Sequence, residues 1–451
     1  VKAFVLFALV LFSAVWLSCG DSPSPGPPVT GGNETPELSS FSPLSGKQGT
    51  VIKIQGKHFG SDVSKVSLEI NGLKAAINTV TDTEITAIVP AKCGLGKLTL
   101  TVNSKEVTSA AAFRYLYTAT TSYFSGNGKG ADGKDGGYQD GTPQQSEFRT
   151  LYNIATDNKG IMFAADLGNC VVRRIETDGS TSTLAGAGNQ NGFKDGKGNQ
   201  ALMKFPIGIE LAPDGTIFVA DHENHAIRKI SPDGTLVTVA GHPDRPGLVD
   251  GNLATAQFKR PYGVKLDKTG TLWICDTENG VIRKLSADGQ VTTFAGSTPG
   301  YADGKLREAK FYMPSYLNFD ENGNIFIADK HNHCIRKITP DGMVTTFAGT
   351  PTKTGYRDGE ASQAMFNQPC NIQIDKLGNL YVNDLWNHCI RLVYPDGYVT
   401  TLAGKGGTAG YQEGPGENAL FKHPQGCTLD KDGNLFVTDS ANQRIRKLTI
   451  E

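Results

Sequence analysis

Across the last three quarters of the chain, hydrophobic and polar positions alternate in short runs, and the runs recur. Within one recurring unit, Tyr262 to Asp267, Thr271 to Cys275, Val281 to Leu285 and Val291 to Ala295 each show the period of two expected of a half-buried strand. The unit is marked by a frame, Asp-x-x-Asn-x-x-(Ile/Val)-Arg, that begins at Asp166, Asp221, Asp276, Asp329, Asp384 and Asp439, in steps of 55, 55, 53, 55 and 55 residues. A Phe-x-x-Pro entry precedes the later copies (Phe258 to Pro261, Phe311 to Pro314, Phe366 to Pro369, Phe421 to Pro424), and a Val-Thr-Thr-x-Ala-Gly run follows the frame at Val291 to Gly296 and Val399 to Gly404. Six copies at one period mean a repeat architecture, and four short antiparallel strands per copy predict the blades of a six-bladed β-propeller.

Such a ring must close or leave strand edges exposed. The last copy stops at Ile445 to Ile450 without its Val-Thr-Thr-x-Ala-Gly strand, while Thr120 to Gly126, ahead of the first copy, has that pattern and is followed by the same aromatic-x-Asp-Gly connection, Tyr138 to Gly141. Residues about 119 to 125 are therefore predicted to supply the outer strand of the last blade.

Upstream the pattern differs. Ala3 to Leu17 is an apolar run too short to span a bilayer and fits a secretory signal. Gly20 to Pro36 is rich in Pro, Ser, Gly and Thr and reads as a tether. From Glu37 to about Tyr117, alternating runs separated by turn residues, among them the hairpin signal Asn71-Gly72, predict one small all-β unit. The expected organisation is a signal over 1–18, a tether over 19–36, a β-sandwich over 37–117 and the propeller over 118–451. The fold class is all-β, an immunoglobulin-like sandwich followed by a six-bladed propeller.

Three resemblances attach to these residues. Asp-x-x-Asn-His-x-Ile-Arg-Lys, at Asp221 to Lys229 and Asp329 to Lys337, resembles NHL repeats. That family implies six-bladed propellers that mostly bind proteins, sugars or RNA, with a minority of metal-dependent lyases and lactone hydrolases. Ser42 to Thr50, with Val51, Ile52, Ile54, Gly56 and Phe59, resembles the IPT/TIG group of immunoglobulin-like domains, which act as spacers or interaction modules. Leu17-Ser18-Cys19-Gly20 resembles a bacterial lipoprotein signal, which implies lipidation of Cys19 and anchoring at the outer membrane, on its surface or periplasmic face. The pairing of domains is similar to that of Bacteroidetes-type lipoproteins that accompany glycan-uptake systems, which implies a membrane-protein partner and membrane contact through the lipid alone.

The charge balance, 44 Lys and Arg against 45 Asp and Glu, lacks the footprint of a phosphate-backbone binder and excludes nucleic acid as the expected partner. Eight cysteines without a Cys-x-x-Cys pair point to buried thiols in place of a zinc ribbon or disulfide framework.

The six frame aspartates recur in every copy, whereas a catalytic residue is needed once, so they are assigned to blade structure, each accepting N–H groups of the turn that follows, with the Arg seven residues on across the hairpin. The connection acids Asp140, Asp195, Asp250, Asp303, Asp358 and Glu413 are expected to cap short helical runs, and the aromatics Tyr138, Phe193, Tyr301, Tyr356 and Tyr411 to pack. His225, His333 and His388 are irregular and share one rim, which makes them the candidate ligands of a divalent metal, although zinc needs three such groups within a few ångströms. Metal-dependent relatives place ligands on the innermost strands; here those strands begin Tyr152-Asn153, Ile207-Gly208, Tyr262-Gly263, Ser315-Tyr316, Cys370-Asn371 and Gln425-Gly426, with no histidine. These positions instead offer ring faces and amides. Tyr152, Tyr262, Tyr316, Asn371 and Gln425, joined by Trp386 and His388 from a neighbouring turn, form a candidate mouth for a glycan or other small ligand. Deeper on the same strands Glu210 and Lys265 are placed to pair. No catalytic residue and no cofactor is assigned. The reading is a non-enzymatic envelope lipoprotein that binds a glycan or nutrient; a metal-dependent lyase or hydrolase, or a protein scaffold, are the alternatives.

Overall fold

The computed structural model describes residues 34–130 and 136–451. The signal, Cys19 and residues 19–33 of the tether lie outside the described residues, and among those described no helix is long and apolar enough to cross a membrane.

The amino-terminal unit is an eight-stranded sandwich. Leu73–Val80 joins its two halves, pairing through Leu73 to Ala75 with Val66–Ile70 and through Ala76 to Val80 with Glu84–Ile88. Asn71 and Gly72 both take left-handed backbone, φ 51° and 74°, which lets a two-residue turn reverse the chain between Ile70 and Leu73. Alternate residues of the facing strands, Ile52, Ile54, Leu68, Ile70, Ile85, Leu98, Leu100 and Phe113, fill the interior.

Six four-stranded blades follow. The innermost strands are Leu151–Thr156, Pro206–Leu211, Pro261–Leu266, Pro314–Phe319, Pro369–Ile374 and Pro424–Leu429, and we number the blades in that order. In blade 3 the strands are Pro261–Leu266, Leu272–Asp276, Val281–Leu285 and Gln290–Ala295, each end within one residue of its expected place. The second strand runs one residue further than expected because Asp276 pairs with both Pro261 and Val281. The core lies between blades: Ile282 and Ala295 of blade 3 pack with Phe311, Leu317 and Ile327 of blade 4. Blade 6 takes its fourth strand from Ala119–Ser125, which runs antiparallel to Arg444–Ile450 with Ile450 opposite Ala119 and Leu448 opposite Thr121.

The sandwich rests on blade 5, on the face that carries the Asp-x-x-Gly loops. Tyr394 donates its hydroxyl to the Tyr115 carbonyl at 2.8 Å, Arg114 pairs with Asp396 at 2.6 Å, and Asn379 reaches the Tyr117 hydroxyl at 3.3 Å. The opposite face, where the Asp-x-x-Asn turns lie, is not covered by the sandwich.

Candidate functional site

The repeated charges are accounted for inside the blades. In blade 5, Asp384 accepts the Asn367 N–H through Oδ1 at 2.7 Å, and through Oδ2 the Asn387 amide at 2.8 Å and the Arg391 guanidinium at 2.7 Å. Both Asp384 and Arg391 are fully buried. The frame aspartate therefore ties two segments together, taking the N–H of a residue 17 positions earlier in place of the expected N–H of its own turn. The expected helix caps are corrected as well. Asp140, Asp195, Asp250, Asp303 and Asp358 pair with the second guanidinium nitrogen of the blade arginine at 2.6–2.9 Å, because the following residues first run along the blade's outer strand; even after Asp195, where a single helical turn, Gly198–Gln200, follows, the acid does not cap it. Glu413 accepts the Tyr411 hydroxyl instead. The connection aromatics cover the guanidinium: Arg391 lies 5.0 Å from the ring centres of both Tyr356 and Phe366. Burial pushes the carboxyls of Asp221, Asp276, Asp329 and Asp439 up to about 6, against the pull of their arginines.

His225, His333 and His388 hold neighbouring blades together. Each follows the turn Asn in left-handed backbone, at φ 52–55°, and its Nδ1 accepts the N–H of the residue before the next blade's proline: Arg260 at 3.1 Å, Gln368 at 3.1 Å and His423 at 3.3 Å. Gln443 performs the same task in blade 6, its Oε1 accepting the Thr150 N–H at 2.7 Å. The structure does not bring the three histidines together, and among the described residues no group of three His, Cys, Asp or Glu side chains could hold a metal ion.

A pH dependence follows. Burial lowers the pKa of all three, that of His388 to about 4 with the help of His423 and Lys422. A histidine whose folded pKa lies below its unfolded value of about 6.5 adds stability that is whole above that value and is lost as pH falls toward the folded pKa. The triple variant His225→Gln, His333→Gln, His388→Gln keeps the accepting atom, as Gln443 shows, and removes the titration. Between pH 6.5 and 4 it is expected to lose less stability than the parent, His388 alone accounting for about 1–2 kcal/mol after allowance for solvent, read by urea unfolding at each pH; parallel curves would refute the latch. The frame aspartates titrate in the same range but are common to both proteins.

The axis is closed by contacts across the ring. Tyr262 of blade 3 donates its hydroxyl to Gln425 of blade 6 at 3.3 Å, and the Tyr152 and Tyr262 rings lie 5.9 Å apart. Below them the Asn371 amide donates to the Asn153 side-chain oxygen at 3.3 Å. Lower still, Lys265 pairs with Glu210 at 3.0 Å. Three of the innermost strands carry glycine where they approach closest; a Cβ on Gly208 would stand 2.0 Å from the Tyr262 carbonyl oxygen. The predicted mouth thus divides. Tyr152, Tyr262 and Gln425 form the floor of a dish on the open face, whereas Tyr316 and Asn371, each 2% exposed, form a plug beneath it. A pocket of about 430 Å³ extends from Tyr152 and Gln425 outward past Lys422, His423, Ser440 and Gln443. Trp386, 47% exposed, stands beyond His423 with ring centres 4.5 Å apart and its Nε1 on Gln368; His388 packs on the other side of His423, at 4.8 Å.

Sequence reasoning missed His423, His222 and Lys330. His423 occupies the position before the blade proline, and His222 and Lys330 the position after the frame aspartate, which the blade geometry turns toward the axis. The periodicity alone could have singled out that second position, since its occupants, Leu167, His222, Thr277, Lys330, Leu385 and Ser440, range from apolar to hydroxyl, imidazole and ammonium.

A larger pocket, of about 650 Å³, opens on the opposite face between blades 3 and 4 and is lined by Lys265, Trp273, Lys284, Phe294, Asn318 and Phe319 among others. Within it the Trp273 Nε1 donates to Asp267 at 2.8 Å and Lys284 lies over the Trp273 and Phe294 rings.

Comparison with known proteins agrees with this architecture. The model of the IPT/TIG domain matches residues 36–115, and that of the NHL repeat matches residues 203–230 and 421–448. Two crystal structures from Bacteroides thetaiotaomicron superpose over 93% of this chain with TM-scores of 0.58. One is a protein of unknown function, 23% identical and covered over 99% of its length; the other is described as an auxiliary nutrient binding protein, 20% identical and covered over 98%. At these identities the likeness speaks for the fold. The Arabidopsis thaliana chloroplastic protein Suppressor of quenching 1 is 28% identical over 282 residues, which make up 58% of this chain and 26% of that protein, so the chain spans about a quarter of its length.

Proposed function

We propose, from the premise that this chain carries an IPT/TIG domain followed by an NHL propeller, that it is a non-enzymatic cell-envelope protein holding a small ligand, a glycan or comparable nutrient, in the dish at the propeller mouth. The observation that carries the reading is the contrast between the blades and the axis. Every recurring acid and arginine is engaged within its own blade, whereas at the open end of the axis residues that are not shared by all blades, Tyr152, His423 and Gln425, line a pocket of about 430 Å³, with Tyr262 bonded to Gln425 beside it. Tyrosine faces suit the apolar faces of a sugar ring and the glutamine amide suits its hydroxyls. The sandwich rests on the other face, so a tether running from the sandwich to a membrane leaves the dish unobstructed. The neighbour described as an auxiliary nutrient binding protein supports a binding role of this kind.

The test is a glycan array probed with the labelled chain, followed by calorimetry on the ligands retained. Tyr152→Ala and Gln425→Ala are each expected to weaken a retained ligand at least tenfold, about 1.4 kcal/mol, with an unchanged far-ultraviolet spectrum. Retention that survives both substitutions would place the site elsewhere. A stoichiometric metal ion in the purified chain, lost on substitution of His225, His333 or His388, would favour the lyase or hydrolase reading instead.

A further inference from the structure

Resting on that reading of the mouth, we infer that the ligand carries an oxyanion and that Lys330 is the residue that receives it. The argument begins with the position after the frame aspartate. In blades 2 and 3 its polar group is satisfied by the next blade: the His222 Nδ1 lies 3.1 Å from the Pro261 carbonyl oxygen, and the Thr277 hydroxyl donates to the Pro314 carbonyl at 2.7 Å. In blades 1 and 5 the position is apolar, Leu167 and Leu385. Blade 4 places Lys330 there, its ammonium 5.4 Å from the centre of the Tyr262 ring that floors the dish.

Among the described residues no carboxylate lies within ion-pair distance of Lys330, whereas the other lysine near the axis, Lys265, has Glu210 at 3.0 Å. Nor does any described residue lining the mouth pocket bear a carboxylate. Burial lowers the pKa of Lys330, which marks an ammonium drawn partly out of water without a counter-charge. A half-buried cation beside an aromatic face is completed by an anionic group from outside, through a charge-assisted hydrogen bond. With tyrosine rings beneath it, the site fits an acidic saccharide: a uronate presents a carboxylate, and a sulfated sugar presents the same charge on a different group.

The experiment is calorimetric titration of the full chain with trigalacturonate, its methyl ester and a sulfated galactose trisaccharide, for the parent and for Lys330→Leu. Leucine occupies this place in two sibling blades, so the variant is expected to fold. The parent is expected to bind an acidic member at least tenfold more tightly than the neutral ester and to lose that preference at high salt. Lys330→Leu is expected to abolish the preference while leaving any weak binding of the ester unchanged. Whichever acidic member is preferred identifies carboxylate or sulfate as the natural group. Equal binding of acid and ester, unaltered in Lys330→Leu but weakened by Tyr152→Ala, would overturn the inference and leave the mouth reading standing. Binding by none of the three would overturn both. As a second measurement, inorganic sulfate should raise the melting temperature of the parent by more than that of Lys330→Leu; an equal rise in both counts against the site.

Discussion

Replacement of Ala119–Ser125 by a glycine-serine segment of the same length is expected to abolish the single cooperative unfolding transition of the propeller and to produce a chain that self-associates. This strand carries an antiparallel ladder to Arg444–Ile450, from Ser125 opposite Ile445 to Ala119 opposite Ile450, broken once by a bulge at Phe124. It also reaches beyond its own blade. Ser125 donates to the Gly179 carbonyl of blade 1 at 2.7 Å, while within blade 6 the Phe124 ring packs edge-on against Phe436 and the Ala119 carbonyl accepts the Gly416 N–H at 2.6 Å. The substitution therefore exposes a strand edge with unpaired N–H and C=O groups and unfastens blade 6 from blade 1 together. The loss is comparable with the whole ~5–15 kcal/mol by which a domain is stable. Calorimetric melting with light scattering checks it. A variant that melts as sharply as the parent, and stays monomeric, would show that the ring does not depend on this strand.

The second large effect is expected at the blade ion pair. Arg391→Met removes the guanidinium from a carboxylate with no exposure to solvent, leaving Asp384 to the Asn367 and Asn387 N–H groups and two carbonyl oxygens, of Arg357 and Met365, without the donors they now have. Breaking one side of a buried pair costs about 3–5 kcal/mol, because the remaining charge is stranded where water cannot reach it. Adding Asp384→Leu to Arg391→Met is expected to recover part of that loss, since two apolar side chains tolerate burial better than one unpaired charge. Urea midpoints of the two single variants and the double variant close the cycle. A double variant less stable than either single one would mean that the pair's hydrogen bonds to the connecting segments outweigh the cost of burying its charge.

The six-fold ring was readable from the chain because each copy restates the same local rule. Period-2 runs, a turn with a left-handed residue and an Asp to Arg spacing of seven are short-range features, and their repetition counts the blades. The connection acids were misread for the same reason. Asp358 precedes an Ala-containing segment and looks locally like a cap, yet its partners, Arg391 at 2.6 Å and the Thr401 N–H at 3.0 Å, are supplied by strands 33 and 43 residues away. Likewise Tyr316 and Asn371 share a strand position with Gly208, Gly263 and Gly426, and the sequence cannot say that an asparagine amide from blade 5 meets Asn153 of blade 1 at the axis.

By itself, then, the amino-acid sequence determined the number of repeats, the alternation that builds each strand, and the identity of the small sandwich ahead of them, because all three are expressed within a few tens of residues. Only the tertiary structure decided what stands at the centre. Whether Lys330 meets a carboxylate, a carbonyl or an open dish depends on the approach of strands more than fifty residues apart, and a repeat carries no local record of which side chain its neighbour across the ring presents.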